Sequence, residues 1–302
     1  MNTITPKKQL LGFIGIGHMG LRIVRRLLDH GYDVIAYNRN RAAAEALVPH
    51  GASVADGVAT LASQADVILS CLANDDAVLN IYTGVQGVFA HARPGTAIIE
   101  MSTVLPRTSR ELHRLSIETG VTFLDTTISG STPAAEQGAL TLFCGGDEEL
   151  FHAAQQVFSA IARQNFYLGT SGSGAVMKLV VNTLLGVGMQ AIAEAVALGQ
   201  KAGLDRHRLL DVLSKTAVVA PAHTGKLQRA DLNDYSTQFG VGLMNKDFHL
   251  ILETAAEAKV PMPATAASFQ MNAAEFSSGD DEDFSAVIPL MEKLAHLDSP
   301  RR

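Results

Sequence analysis

The sequence predicts an α/β domain built on a doubly wound, mainly parallel sheet, followed by an all-α domain that a long helix joins to it. Three observations predict this. Up to residue 169, short apolar runs alternate with amphipathic helical stretches. A glycine-rich turn separates the first of these runs from the first helix. Beyond residue 170 the strand pattern stops and helical periodicity alone continues. The expected boundaries are 1–169 and 170–302, with the long helix over about 174–202.

The first strand, Leu10–Ile14, runs into Gly15-Ile16-Gly17-His18-Met19-Gly20. The helix that follows carries Leu21, Val24, Leu27 and Leu28 on one face, and Gly31 stops it. A second apolar strand, Asp33–Tyr37, ends at Asn38-Arg39. Strand, glycine turn, helix and strand in this order form the dinucleotide-binding unit of a Rossmann-type domain. Gly15 suits the tight turn, Gly17 lets backbone approach a pyrophosphate, and Gly20 lets the helix pack close to the strand. Free N–H groups at the helix start face the phosphates. Gly15, Gly17, His18, Met19 and Gly20 are therefore the first cofactor-contacting candidates.

The end of the second strand bears on which dinucleotide binds. NAD-binding units usually place a carboxylate there, about 20 residues past the glycines, to bond the ribose 2′-hydroxyl. Here the chain reads Asn38-Arg39-Asn40-Arg41. An acid would repel a 2′-phosphate, whereas a guanidinium grips it with paired N–H bonds. The expected cofactor is NADP(H), with Asn38 and Arg39 at its ribose end.

The alternation continues along the chain. A helix over about 40–50, a strand near Ala52–Val54 and a helix over 56–63 lead to the apolar strand Asp66–Leu72. A helix starts near Asp75, Thr96–Met101 is the next strand, and another helix follows Pro106. Val121–Ile128 is a further strand, and Leu140–Cys144 and Phe166–Leu168 flank a helix over 147–163. Thr170-Ser171-Gly172-Ser173-Gly174 then opens a proline-free helical pattern that lasts to Ala202, with Gly203 placed to end it. About 28 residues make a helix about 42 Å long. It is apolar on most sides, the mark of a buried spine between domains or subunits. The remaining helices are expected over about 205–215 (capped by Asp205), 221–229, 239–258, 263–277 and 284–296.

At 302 residues and 47% apolar content the chain has material for two cores. A net charge of −6 gives no reason to expect nucleic-acid or membrane-surface binding. Arg22, Arg25, Arg26, Arg39 and Arg41 gather near the glycine turn, which suits a phosphate-rich small ligand. Cys71 and Cys144 lie in apolar runs with no zinc-type or CxxC partner, and read as reduced core thiols. Residues 1–9 lack a signal peptide's apolar segment, and no charge-free apolar run reaches membrane length. The expected location is the cytoplasm. No Cys/His cluster or HExxH pattern suggests a metal.

Candidate chemistry is concentrated in four places. Gly174-Ala-Val-Met-Lys178-Leu-Val-Val-Asn182 stacks a lysine and an asparagine one turn apart on an otherwise apolar helix. Such a pair needs polar partners or a wet cleft, and partial desolvation makes an ammonium a better proton donor. The competing reading is a surface lysine lying along the helix. Asp125-Thr-Thr-Ile-Ser129-Gly130-Ser131-Thr132 closes a strand with a hydroxyl-rich turn, either an ordinary loop or a cradle for a substrate carboxylate. Glu100-Met101-Ser102-Thr103 ends the preceding strand, where ligand contacts gather in such sheets. In Asn245-Lys246-Asp247-Phe248-His249, Lys246 either reaches a ligand or pairs with Asp247.

Together these segments resemble the β-hydroxyacid dehydrogenase family, the 3-hydroxyisobutyrate dehydrogenase-like and glyoxylate/succinic semialdehyde reductase-like enzymes. GIGHMG with its following NR, DTTISGS in place of the family's DxPVSGG, the GxxxKxxxN helix, and KDFHLILETA in place of KDLxLxxxxA fall in the family's order. The resemblance covers about residues 10–296. It implies that Lys178 is the catalytic lysine, Asn182 its substrate-orienting neighbour, and Ser129 and Gly130, with Thr132, the carboxylate anchors. Thr103 and Lys246 match cofactor- or substrate-contacting positions. It also implies a homodimer or homotetramer and a small carboxylated substrate: an aldehyde or keto acid reduced, or a β-hydroxyacid oxidised. Thr127 and Ser131 depart from the family's Pro and second Gly, which bears on the substrate more than on the chemistry. Imine reductases share the architecture but usually lack the lysine; they are the alternative reading, beside a non-catalytic NADP-binding protein.

Overall fold

The computed structural model describes residues 1–277 and 282–297. Residues 278–281 and 298–302, which fall in the second expected domain, lie outside the described residues. Two compact units make up the chain, Met1–Lys178 and Leu179–Arg302.

In the first unit the strands are β1 (Leu10–Ile14), β2 (Asp33–Tyr37), β3 (Ser53–Val54), β4 (Val67–Ser70), β5 (Ala97–Glu100), β6 (Thr122–Ser129), β7 (Leu140–Gly146) and β8 (Ala162–Tyr167). They form one sheet in the order β3-β2-β1-β4-β5-β6-β7-β8. Every pairing is parallel except β6 with β7. The chain leaves β1 toward β2 on one side and returns to β4 on the other, so the order reverses at β1. Ligands bind in such sheets outside the strand carboxyl ends at this reversal.

Alternation along the strands explains the burial of both sheet faces. Leu11, Phe13, Val34, Ala36, Val67 and Leu69 pack on one side with Ile23, Val24 and Leu27 of the helix His18–Asp29. Ile14, Ile35, Ile68, Ile98 and Phe123 pack on the other with Leu61, Val78, Tyr82 and Leu112. Helix starts follow local chemistry. Asn40, Asn74 and Asp147 cap helices by accepting a backbone N–H, and Pro106, Pro221 and Pro263 occupy first turns.

Several elements differ from the periodicity reading; the helix expected over 284–296, for instance, is a 3-10 turn, Phe284–Ala286, followed by the helix Val287–Leu294. The helix expected over 40–50 is a short helix, Arg41–Glu45, followed by a 3-10 turn, Val48–His50. The helix expected over 147–163 is two helices, Glu148–Ala153 and Gln155–Ile161, because the backbone relaxes to ψ 1° at Ala154. β8 starts at Ala162 rather than Phe166. Its first half carries the exposed polar residues Arg163 and Gln164, as an edge strand permits, so no apolar run marks its start.

The helix Ser173–Lys201 has 29 residues and is, by length and composition alone, apolar enough to cross a membrane. One side of it is buried within the second unit, through Asn182, Met189, Gln190, Ala193 and Val196. Gly203, at φ +96°, ends it in the left-handed region. Asp205 caps the next helix, Arg206–Ser214. Pro221–Asp231, Val241–Glu257, Pro263–Phe276 and Val287–Leu294 complete the described part of this all-helical unit.

Candidate active site and cofactor site

In the glycine turn each residue answers a separate steric demand. Gly15 has φ +99°, and a Cβ there would lie 2.2 Å from the Cys71 carbonyl oxygen. A Cβ at Gly20 would lie 2.0 Å from the Gly15 carbonyl oxygen. At Gly17 a Cβ would meet nothing within 4 Å. Gly17 is also the N-cap of the helix His18–Asp29, whose first turn holds no acid. Open space, free N–H groups and the positive end of a 12-residue helix meet there, and a pyrophosphate fits. His18 is exposed, while half-buried Met19 leans on the core.

Asn38 braces this turn. Its Oδ1 accepts the Ile16 N–H at 3.0 Å and its Nδ2 donates to the Asn40 carbonyl at 3.0 Å. The two arginines beyond it differ. Arg41 is held by Glu45 and by Asp56, both at 2.8 Å. Arg39 is exposed and makes no such bond among the described residues.

At the carboxyl edge of the sheet, β6 fastens the first turn of the long helix. The Asp125 carboxylate accepts the Gly172 N–H at 2.7 Å, the Ala175 N–H at 3.0 Å and the Ser171 hydroxyl at 3.2 Å. It is fully buried, which pushes its pKa up against those bonds. Thr127 donates its hydroxyl to the Gly174 carbonyl at 2.8 Å. Gly174 admits no side chain, since a Cβ would lie 2.4 Å from the Phe143 carbonyl oxygen. Lys178, half-buried, follows one turn later. Thr127, where the family usually has proline, thus helps to bolt the lysine-bearing helix to the sheet.

The same strand ends at Ser129, half-buried, and Gly130, exposed with φ +138°. Ser131 precedes the short helix Thr132–Glu136, and Thr132 is half-buried. Ser129, Gly130 and Thr132 therefore share one turn. Thr103 is half-buried just past β5.

In the second unit Asn182 donates its amide to Asp247 Oδ2 at 2.5 Å, both side chains being nearly inaccessible. Asn182 Oδ1 is left without a partner among the described residues. Lys246 lies 3.0 Å from Asp247 Oδ1, so the pairing open in the sequence is realised. Asp247 thereby joins Asn182 and Lys246; the sequence offers it as a partner for Lys246 but gives no sign of its bond to Asn182. Its only other visible signal was a buried-type position, in step with Met244 and Phe248, occupied by a charge. Asp125 was missed likewise.

Cys71 and Cys144 are both free thiols. Burial pushes the Cys144 thiol up to about 12, which keeps it protonated and inert.

A dinucleotide turn at the sheet's reversal point and a lysine–asparagine helix define a nicotinamide-dependent oxidoreductase. Comparison with known proteins narrows this. Residues 10–169 match the model of the NAD-binding domain of 6-phosphogluconate dehydrogenase. Residues 172–291 match that of the NAD-binding domain of NADP-dependent 3-hydroxyisobutyrate dehydrogenase. A 2-(hydroxymethyl)glutarate dehydrogenase of Eubacterium barkeri is 33% identical over 286 residues, 94% of this chain and 95% of that one. Glyoxylate/succinic semialdehyde reductase 1 of Arabidopsis thaliana is 34% identical, over 92% of this chain and 96% of its own. The crystal structure of a 3-hydroxyisobutyrate dehydrogenase from Salmonella typhimurium superposes with a TM-score of 0.85 at 27% identity, covering 93% of this chain and 99% of that one. An imine reductase of Streptomyces aurantiacus, at 22% identity and a TM-score of 0.64 over 94% of this chain and 99% of its own, shares the fold. The chain belongs to the β-hydroxyacid dehydrogenase family, the 3-hydroxyisobutyrate dehydrogenase-like oxidoreductases.

Proposed function

We propose that the protein is an NADP(H)-dependent reductase of short carboxylated aldehydes or keto acids, which in reverse oxidises the matching β-hydroxyacid. One observation carries this reading: the helix bearing Lys178 and Asn182 is fastened at its first turn to β6, the strand that ends in Ser129 and Gly130. A proton donor is thereby held in fixed register with a hydroxyl-rich turn.

A nicotinamide cofactor held there would supply the hydride chemistry. Ser129, the Gly130 backbone and Thr132 hold the substrate carboxylate. Lys178 donates a proton to the developing alkoxide oxygen and withdraws it in the reverse direction. Asn182, its amide nitrogen committed to Asp247, offers Oδ1 to the substrate hydroxyl. Gly15, Gly17, His18, Met19 and Gly20 would hold the pyrophosphate, Asn38 and Arg39 the ribose end, and Thr103 a further part of the cofactor; Lys246, which the resemblance offers as a cofactor or substrate contact, is paired with Asp247. The uncommitted Arg39 and the lack of a carboxylate after β2 support NADP(H) over NAD(H).

The exposed residues Val180, Leu184 and Leu198 on the long helix support a homodimer or homotetramer. The cytoplasm is the proposed location. Purified protein tests the reading through loss of NADPH absorbance with glyoxylate, succinic semialdehyde, methylglyoxal and a cyclic imine, with NADH in parallel. Turnover of a carboxylated aldehyde with NADPH is expected. Turnover of the imine alone would overturn the substrate class.

A further inference from the structure

Strand register brings Ser70, Glu100 and Asp125 side by side across β4, β5 and β6, and all three are fully buried. Glu100 is the hub. Its Oε1 accepts the Ser102 N–H at 2.9 Å and the Ser70 hydroxyl at 3.4 Å. Ser102 Oγ in turn accepts the Leu72 N–H at 2.7 Å. Leu72 and Cys71 form the wall against Gly15, where an added Cβ would strike the Cys71 carbonyl and meet Leu72 Cδ2 at 3.1 Å. On the far side Ser70 bonds the Tyr82 hydroxyl at 2.7 Å. A continuous polar chain thus runs from Glu100 through Ser102 to the backbone lining the glycine turn.

We propose that Glu100 is a positioning residue of the cofactor site, coupling the loops after β4 and β5 so that the ionised carboxylate holds both in the form that grips the dinucleotide. This rests on the cofactor reading above. A carboxylate oxygen taking several donors makes stronger bonds than a neutral carboxyl does. The charged or titratable groups facing Glu100 are Asp125 on β6 and Tyr82 on the helix Asp75–Thr83. Burial, reinforced by Asp125, pushes Glu100 up to about 7, so the carboxyl changes state near neutral pH. Its Oε2, unpartnered among the described residues, is available to carry the proton.

The experiment is the dissociation constant of NADPH, read by its fluorescence from pH 6 to 8.5, for the natural protein, Glu100→Gln and Ser102→Ala. The natural protein is expected to bind about threefold tighter above pH 7 than below it. Both variants are expected to lose that pH-linked change, Ser102→Ala because it cuts the relay while the carboxyl remains. The same pH profile in all three proteins overturns the proposal. Failure of the natural protein to bind NADPH or NADH overturns the cofactor reading, and the proposal with it.

Discussion

Asn182 and Asp247 lie 65 residues apart in sequence, yet the amide of one donates to the carboxylate of the other at 2.5 Å in a buried setting. The bond fixes which end of the Asn182 amide is which. With Nδ2 held by Asp247, Oδ1 is left as an acceptor without a partner among the described residues, and on the proposed reading it would take a substrate hydroxyl. Asp247→Ala frees the amide to turn, and a misplaced orienting group costs about 100-fold in turnover. Steady-state kinetics should show kcat falling by about that factor; a kcat within about twofold of the natural protein's would contradict the role given to the bond.

On the proposed reading, the preference for NADP(H) would rest on Arg39. A charge-assisted contact to a 2′-phosphate is worth about 1.5–3 kcal/mol. Arg39→Ala should therefore raise the KM for NADPH by about tenfold or more, and leave that for NADH unchanged. Arg41→Ala, which removes a residue already held by Glu45 and Asp56, should change neither. Equal effects of the two substitutions would contradict this assignment.

Asp125 carries the junction between sheet and helix. Replacing it with alanine strands two backbone N–H groups and the Ser171 hydroxyl in a buried site. Loss of about 3 kcal/mol of unfolding free energy is expected, measured by urea denaturation. A loss below about 0.5 kcal/mol would mean that the helix start is held by other contacts.

Glu100 should impose a pH dependence on stability. Its carboxyl is pushed from 4.5 to about 7 by burial, so the folded state binds its proton more tightly than the unfolded chain does. The stabilisation is complete below pH 4.5 and is lost as pH rises through about 7. Relative to Glu100→Gln, the natural protein should thus weaken by about 3 kcal/mol between those limits. Parallel denaturation curves of the two proteins at pH 5 and pH 8 read this difference directly; a constant gap contradicts it.

Much of the fold was legible because it is local. The strand–turn–helix–strand unit at Leu10–Tyr37, the asparagine and aspartate caps and the proline starts each depend on neighbours a few residues apart. β8 escaped because an edge strand need not be apolar, and the Ala154 irregularity has no sequence mark of its own. In the site, the glycine turn, Lys178 and Asn182 were visible as polar or small residues in apolar surroundings. The bonds of Asp125 to the helix start and of Asp247 to Asn182 were not, since they span 47 and 65 positions that only the folded chain brings together. Glu100 likewise reads as an ordinary strand end until the register sets it beside Ser70 and Asp125.

On the proposed reading, Lys178 would handle the proton of a nicotinamide-dependent carbonyl reduction. The direct measurement is turnover of succinic semialdehyde or glyoxylate by Lys178→Ala, with NADPH binding monitored on the same sample. Unchanged NADPH affinity with kcat reduced about 1,000-fold is predicted, in line with the loss of a positioned general acid. Near-natural turnover by that variant would exclude Lys178 as the proton donor.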